Sequence, residues 1–394
     1  MYRIGDLELK QIEAVIASKR LFRVGEPSSG HWQQVVTFEK EWAQVIGTKY
    51  ALLLSGGGTA ALTAALIGVG IGPGDEVIVP AYTFMATASA VLMAGAIPVI
   101  ADIDETLTLS PEAFEKRISK NTKAVIPVNM IGRCANMDKI MEIAKKHNLK
   151  VIEDCCQADG GSYKGRRLGS IGDAGAFNFN DFKILSCGEG GAVVTNDTEV
   201  YEKAFIFHDS GFAFRPYAKE FAVPVFLGQQ CRASEIMGAI LRGQLRRLEG
   251  ILSDARRNAK RIREELSSLK GVRIAPMNDV DGDCGITVVL IFDSESEARR
   301  FVQSPGVGGF LPIDSGKHMF FNWEPLLKKS VYHHRRMNPF YFEENKELRA
   351  EYGPEVCRAT IDICSRTVVL GVSPDWGEGD VTERINTYKK ALRR

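Results

Sequence analysis

One stretch of the chain decides the fold, residues 177–196, which reads FNFNDFKILSCGEGGAVVTN. Alternating aromatic residues lead to Lys183, a polar turn follows, and the glycines at 188–191 lead into a second apolar run. This pattern predicts a strand, a loop that holds one lysine, a tight glycine turn and another strand. A lysine enclosed by apolar strands loses hydration, which favours the neutral amine that Schiff-base chemistry requires. Taken alone, the pattern favours a surface lysine in a hairpin.

The lysine segment resembles the signature of the DegT/DnrJ/EryC1/StrS sugar aminotransferases, enzymes that use pyridoxal 5'-phosphate (PLP). That signature is approximately Phe-Ser-Phe-His-x-x-Lys-x-x-x-x-Gly-Glu-Gly-Gly. The matching residues are Phe177, Phe179, Lys183 and Gly188 to Gly191. Asn178 and Asn180 depart from the signature. The resemblance implies that Lys183 binds PLP as a Schiff base and that Asn178 takes part in cofactor binding.

A second cofactor contact is predicted where an apolar strand, residues 50–54, meets an alanine-rich helix, residues 60–70, through a glycine turn. Free backbone N–H groups at such a helix start point outward and attract anions. The sequence Gly-Thr-Ala-Ala-Leu at residues 58–62 resembles the phosphate-binding segment of the same family. Gly58 and Thr59 are therefore the candidates for binding the cofactor phosphate.

An acidic pair, Glu153-Asp154, ends the predicted strand at residues 150–154. A carboxylate at the C-terminal end of a parallel strand lies on the ligand side of an open sheet. For an isolated aspartate after a strand, a helix cap is an alternative role. The run Glu-Asp-Cys-Cys-Gln-Ala resembles the family's Glu-Asp-x-x-Gln-Ala, which implies that Asp154 keeps the pyridine nitrogen protonated. By the same resemblance, Gln157 lies beside the phenolic oxygen and Phe84 stacks on the ring.

Two residues near position 230 are further candidates. The run Gly-Gln-Gln-Cys-Arg-Ala-Ser-Glu from residue 228 resembles the family's Gly-x-Asn-x-Arg-x-x-Glu, in which the asparagine reaches the phosphate of the neighbouring subunit. Gln230 stands at that position, and its longer amide can make the same hydrogen bond. Arg232 could bind a carboxylate or phosphate of a ligand, or form a structural ion pair.

Composition limits the class of protein. A chain of 394 residues with 45% hydrophobic and 25% charged residues predicts a soluble protein of two domains. A net charge of +1 predicts no nucleic-acid or membrane partner. No apolar run is long enough to span a bilayer, and the first residues show no signal-peptide core. Eight cysteines without a Cys-x-x-Cys pair, and six histidines without ligand spacing, predict free thiols in the cytoplasm and no metal site.

Apolar strands alternate with helical patterns through residue 195, which predicts an α/β fold with a mostly parallel sheet flanked by helices. The resemblance implies fold type I of the PLP enzymes, with seven strands in that sheet. We expect residues 1–252, including an N-terminal helix, to form a large PLP-binding domain. Residues 253–394 are expected to form a smaller α+β domain, with one of its strands at residues 308–313.

The resemblance implies an aminotransferase that moves an amino group from glutamate or glutamine to a keto-sugar, either nucleotide-linked or a keto-acid sugar. It also implies a homodimer with shared active sites. Residues 103–107 and the pair Asn322-Trp323 most resemble the enzyme that makes an 8-amino octulosonate sugar. One alternative is a sugar dehydratase or other non-transaminating PLP enzyme, although the known 3-dehydratase branch replaces the lysine with histidine. Another is a non-catalytic regulator, which the joint presence of Lys183, Asp154 and Gln157 disfavours.

Overall fold

The structure is a computed structural model that describes residues 3–393. Its strands in chain order are β1 (Tyr50–Leu54), β2 (Glu76–Pro80), β3 (Ile97–Ala101), β4 (Thr122–Val125), β5 (Lys150–Asp154), β6 (Ser162–Tyr163), β7 (Arg166–Arg167), β8 (Ala174–Asn178), β9 (Gly191–Thr195), β10 (Arg273–Ile274), β11 (Thr287–Ile291) and β12 (Thr367–Gly371).

Thirteen α-helices accompany them within residues 3–393. They are α1 (Asp6–Ser18), α2 (Gln34–Ile46), α3 (Gly57–Gly68), α4 (Ala86–Met93), α5 (Pro111–Lys116), α6 (Met137–Lys146), α7 (Thr198–His208), α8 (Glu235–Leu245), α9 (Leu248–Leu266), α10 (Glu295–Val302), α11 (Glu324–Leu327), α12 (Arg358–Ser365) and α13 (Glu378–Leu392). Of the helices described here, none combines the length and apolarity needed to cross a membrane.

Seven strands form the central sheet, in the order β1-β9-β8-β5-β4-β2-β3. The pairs from β3 to β8 are parallel, whereas β9 runs antiparallel to both of its neighbours. Six strands therefore point one way and only β9 is reversed. Strands β2 and β3 are buried along their whole length and are apolar except for Glu76, as expected for a sheet covered on both faces. The predicted mostly parallel, seven-stranded sheet is confirmed.

Helices cover both faces of this sheet and enclose two apolar cores. On one face, α2, α6 and the start of α9 pack through large side chains such as Phe38, Trp42 and Ile140. On the other face, α3, α4 and α7 pack through small and branched side chains such as Ala61, Leu66 and Val91. Because the strands are parallel, their C-terminal ends and the following loops meet at one edge of the sheet. That edge carries the candidate site.

A smaller antiparallel sheet, β10-β11-β12, packs against α9, α10 and α13 around a separate core. Helix α9 contributes to both cores: Leu252 packs in the large one and Ile262 in the small one. The helix is continuous through the expected boundary between residues 252 and 253, so the division into two domains stays a prediction.

The prediction of a strand at residues 308–313 is wrong. Only Phe310 forms a bridge there, to Val369 of β12, and a 3-10 turn, Pro312–Asp314, follows at once. Proline lacks the backbone N–H that a strand ladder needs, and it fits the first turn of a helix. The strand that completes this small sheet is β12, in a region where the sequence pattern gave no prediction.

Candidate active site

The lysine segment connects β8 to β9, which are antiparallel neighbours, so its strand–loop–strand prediction is confirmed. The loop is shaped by two short side-chain contacts. Asn178 Oδ1 accepts a hydrogen bond from the Asn180 N–H (3.2 Å), and Asn180 Oδ1 accepts one from the Phe182 N–H (3.0 Å). These contacts turn the chain so that the half-buried Lys183 side chain lines a cavity at the sheet edge. Within residues 3–393 its amine has no hydrogen-bond or ion-pair partner.

The glycine turn after the lysine is required by backbone geometry. Gly188 and Gly190 have φ angles of +86° and +154°, a region that residues with a side chain rarely adopt. A Cβ on Gly191 would lie 2.4 Å from the carbonyl oxygen of Gly57. Glycine at these positions therefore lets β9 pass directly beneath the start of α3.

The anion site is predicted at the start of α3, and this helix start is free of a side-chain cap. Its first backbone N–H groups are therefore available to a ligand. Gly58 and Thr59 lie in its first turn. A Cβ on Gly58 would meet Cys156 Sγ at 2.6 Å and Asn178 Cβ at 3.0 Å. The start of α3 therefore packs so closely against Cys156 and Asn178 that glycine is required at position 58.

Asp154 ends β5 at the same edge and is 4% exposed. Its Oδ2 accepts a 2.8 Å hydrogen bond from Thr87 Oγ1, and its Oδ1 accepts a 3.1 Å hydrogen bond from the Cys156 N–H. No helix begins here, so Asp154 is not a helix cap. Within residues 3–393 no lysine or arginine pairs with it. The carboxylate is therefore held in place by neutral donors and can form an ion pair with a positively charged ligand atom.

The cavity has a volume of about 360 Å³. Its lining residues are Phe84, Ile131, Gln157, Asn178, Asn180, Phe182, Lys183, Ile184, Ile286, Thr287, Lys317 and His318. Phe84, Gln157, Asn178 and Lys183 were all predicted from the sequence. Phe84 is 43% exposed, and its ring lies 5.8 Å from the His318 ring, so an aromatic face is free on this side.

Gln157 is held by a strained neighbour. Its Oε1 accepts a 3.1 Å hydrogen bond from the N–H of Ile131, a β-branched residue whose φ angle is +52°. The carbonyl of Ile131 accepts a 3.0 Å hydrogen bond from Thr287 Oγ1 of β11. Such a backbone costs about 1–3 kcal/mol and persists where the surroundings enforce it. This turn therefore couples the small sheet to the floor of the cavity.

The ionisable residues that line the cavity are all basic. Lys317 is exposed, and its ammonium lies 6.0 Å from the Phe182 ring centroid. His318 Nδ1 lies 2.7 Å from Ser315 Oγ, and burial, with the charges of Lys317 and Lys183, lowers its pKa to about 4. His318 is therefore neutral near pH 7, and the positive charge of the cavity comes from its lysines.

Gln230 and Arg232 lie outside the cavity lining. Gln230 is exposed and forms a bridge with Asp209, at the ends of the long loop between them. Arg232 forms an ion pair with Asp209, whose Oδ2 also accepts a 2.7 Å hydrogen bond from Arg215. Of the two roles considered for Arg232, the structural ion pair is the one present. The role of Gln230 at a neighbouring subunit stays a prediction.

Comparison with known proteins identifies the family. The sequence model of the DegT/DnrJ/EryC1/StrS aminotransferase family matches residues 4–388. The chain belongs to this family. It is 40% identical to a GDP-perosamine synthase of Caulobacter vibrioides over 216 residues, which are 55% of this chain and 57% of that protein. It is 35% identical to an L-glutamine:2-deoxy-scyllo-inosose aminotransferase of Streptomyces fradiae over 394 residues, with 97% of this chain and 91% of that protein covered.

The fold agrees with solved structures of aminotransferases. An aminotransferase from Psychrobacter cryohalolentis superimposes with a TM-score of 0.80 and 28% identity, covering 100% of this chain and 98% of that one. DegT/DnrJ/EryC1/StrS aminotransferases are PLP-dependent, and the fold is type I of the PLP enzymes. The predicted family, fold class and cofactor are confirmed.

The residues on this edge of the sheet fit PLP by their own chemistry. The uncapped α3 start suits a phosphate, the free Phe84 face suits a flat ring, and the Asp154 carboxylate suits a protonated ring nitrogen. The amine of Lys183 opens into the same cavity.

Sequence reasoning did not find several residues that shape the site: Thr87, Ile131, Ile286, Thr287 and Lys317. Thr87 follows Thr83 by four residues, and the two hydroxyl groups are hydrogen-bonded at 2.8 Å. This spacing was the one signal in the sequence that could have indicated Thr87. Ile286 and Thr287 come from the small sheet, more than a hundred residues from the lysine. Their role depends on tertiary packing, which leaves no local pattern.

Proposed function

We propose that the chain is a PLP-dependent aminotransferase that moves an amino group from glutamate or glutamine to a keto-sugar in the biosynthesis of an amino sugar, a polysaccharide or a natural product. The observation that carries the proposal is that Lys183 and Asn178 line one cavity at the sheet edge, where Asn178 also packs against Gly58 at the start of α3. Asp154 ends β5 at the same edge of the sheet. A lysine amine, a buried carboxylate and an anion site are the groups that this chemistry needs.

Each residue has a distinct task in this proposal. Lys183 binds the cofactor and then, with its amine released, carries a proton on Nζ between the donor and the cofactor. Asp154 holds negative charge opposite the ring nitrogen, with Thr87 fixing one of its oxygens. The first turn of α3, with Asn178, binds the phosphate. PLP, when bound, supplies the electron sink that allows the donor's α-proton to be removed.

The charge of the cavity supports an anionic sugar substrate. Lys317 lies at its mouth, and within residues 3–393 no carboxylate forms an ion pair with it. A phosphate of a nucleotide-linked sugar and the carboxylate of a keto-acid sugar are both suited to such a lysine. An uncharged inosose, the kind of molecule in the name of the Streptomyces fradiae relative, gains nothing from it. The octulosonate branch is compatible with this charge and stays a prediction.

We further propose that the protein forms a homodimer with shared active sites. Apolar side chains next to the cavity and on the 209–230 loop are largely open to solvent in the single chain: Phe182 is 83% exposed, Phe214 90% and Leu227 92%. Burial against a second copy would remove this apolar surface from water. All eight cysteines are free thiols, which supports a location in the reducing cytoplasm.

The alternative is a dehydratase on the same fold, and the reaction product distinguishes the two. Purified protein with PLP and L-glutamate is incubated either with nucleotide-linked keto-sugars or with keto-acid sugars. The products are analysed by mass spectrometry. We expect a product with an amine in place of the keto oxygen and equimolar 2-oxoglutarate. A product that has lost water, without 2-oxoglutarate, would favour the dehydratase. If protein that is shown to bind PLP forms neither product with any sugar or donor, the proposal is contradicted.

A further inference from the structure

A carboxyl group without a catalytic assignment lies beneath the lysine loop. Asp159 follows Asp154 by five residues and is 0% exposed. Its Oδ2 accepts a long hydrogen bond, 3.4 Å, from the N–H of Leu185, two residues after Lys183. Its Oδ1 is buried and has no hydrogen-bond partner in the part of the chain that the structure describes. Asp159 thus contacts the main chain that positions the lysine.

The contrast with Glu153 shows how unusual this environment is. Glu153 is also 0% exposed, but it accepts three hydrogen bonds from backbone N–H groups. Gly169 donates to Oε2 at 2.9 Å, whereas Ile171 and Gly172 donate to Oε1 at 2.6 and 2.8 Å. Buried carboxylates in proteins are normally satisfied in this way. Asp159 has far less compensation for its burial, so a structural role like that of Glu153 does not account for it.

Among the described residues, Asp159 interacts electrostatically with one lysine and with two buried cysteines. Lys183 faces it from the lysine loop, Cys156 from its own segment and Cys284 from the small domain. Burial raises the pKa of Asp159 to about 8, against the opposing effects of the Leu185 N–H, the Lys183 charge and the Ile184 N–H. The carboxyl group therefore changes charge in the pH range where the lysine acts.

We propose that Asp159 is a positioning residue for Lys183, which fixes the main chain after the lysine and supplies a carboxylate charge that stabilises the ammonium form of its side chain. At about pH 8 and above, where Asp159 is ionised, this charge would stabilise the proton that Nζ accepts from the donor in turnover, before Nζ gives it up to the cofactor side. This role in turnover rests on the proposed function. The proton is returned within each cycle, and Asp159 itself does not contact the substrate.

The test uses the cofactor-free protein, so its outcome does not depend on the proposed reaction. The variant Asp159→Asn keeps an acceptor for the Leu185 N–H and removes the charge. Labelling of Lys183 by an amine-directed reagent at pH 9 is followed by peptide mass spectrometry, with Lys328 as the internal reference. We expect Lys183 of the variant to be labelled about two- to five-fold faster, because its neutral amine is no longer disfavoured. An unchanged ratio of Lys183 to Lys328 labelling would overturn the proposal.

A second readout is the pH dependence of stability. Folded Asp159 keeps its proton up to about pH 8, whereas the unfolded chain releases it near pH 4. Its contribution to stability is therefore full below about pH 4 and is lost as the pH rises towards 8. Urea unfolding between pH 5 and 8 is expected to show a smaller decrease of stability in Asp159→Asn than in the wild type. Equal slopes of unfolding free energy against pH in the two proteins would overturn the proposal. If the asparagine variant does not fold, Asp159→Ser is tested instead, by the labelling ratio and by this slope.

Discussion

Thr87 Oγ1 donates a 2.8 Å hydrogen bond to Oδ2 of Asp154. Thr87 lies in α4, just after Phe84, which lines the cavity, so this contact joins that segment to the carboxylate at the end of β5. A hydrogen bond to a buried carboxylate fixes its orientation. Thr87 therefore orients the carboxylate that we propose for the ring nitrogen of the cofactor.

Substitution Thr87→Val tests this contact. Loss of a hydrogen bond to a charged group costs about 1.5–3 kcal/mol, so the rate of the glutamate half-reaction should fall about ten-fold or more. Stopped-flow absorbance measures this rate. Thr63→Val is the control, because the Thr63 hydroxyl donates a hydrogen bond to the carbonyl of Thr59 in its own helix and, among residues 3–393, to no group near the cavity. Equal rates in both variants would mean that the Thr87 contact has no role in the reaction.

Gly58→Ala tests the anion site. The added methyl group would collide with Cys156 Sγ and Asn178 and so displace the helix start that we propose binds the phosphate. Overpacking of this kind costs about 1–3 kcal/mol, and PLP affinity should decrease about ten-fold in a fluorescence titration. Gly72→Ala is the matched control, since a Cβ at Gly72 meets nothing within 4 Å. Unchanged affinity in Gly58→Ala would place the phosphate elsewhere.

Lys317→Gln tests the choice of an anionic sugar. If the lysine binds the anion of the substrate, KM for the sugar should rise about ten-fold while the glutamate half-reaction keeps its rate. The control Lys328→Gln removes the same charge from an exposed ion pair with Glu324. Steady-state kinetics at two ionic strengths separate the two variants. A loss confined to the glutamate half-reaction would assign Lys317 to the donor instead.

His318 gives a prediction about acid stability. Its pKa is lowered to about 4 in the folded protein, against 6.5 in an unfolded chain. Its contribution to stability is therefore full above pH 6.5 and is lost as the pH falls towards 4. Between pH 7 and 5 the wild type should lose more of its free energy of unfolding than His318→Gln, by about 1–2 kcal/mol. Urea unfolding at both pH values measures the difference, and identical losses would show that folding does not lower the pKa of His318.

The sequence predicted most of the large domain because its signals are local. Apolar strands alternate with helices, and glycines mark the turns at which Gly58 packs against neighbouring side chains and Gly191 against neighbouring backbone. These patterns are enforced by sterics within a few residues, so they can be found in the sequence. The resemblance to a family then assigned roles to Lys183, Asp154 and Gln157 that spacing alone left open.

The parts that the sequence did not predict depend on distant contacts. Strand β12 and the proline turn at residues 312–314 belong to a small sheet whose segments are short and interrupted by 3-10 turns. Thr287 reaches the cavity through Ile131, and Asp159 acquires its environment only when the lysine loop packs above it. No periodicity or motif encodes these contacts, because they join segments far apart in the chain.

The most direct test of the central claim is the visible absorption of the purified protein with PLP, recorded for the wild type and for Lys183→Ala before and after adding L-glutamate. We predict a yellow band for lysine-bound PLP in the wild type that glutamate converts to a pyridoxamine-type band. The variant should lack the yellow band and show no catalytic turnover. A wild type without a PLP band, or a Lys183→Ala variant with full turnover, would contradict the assignment of Lys183 as the catalytic lysine.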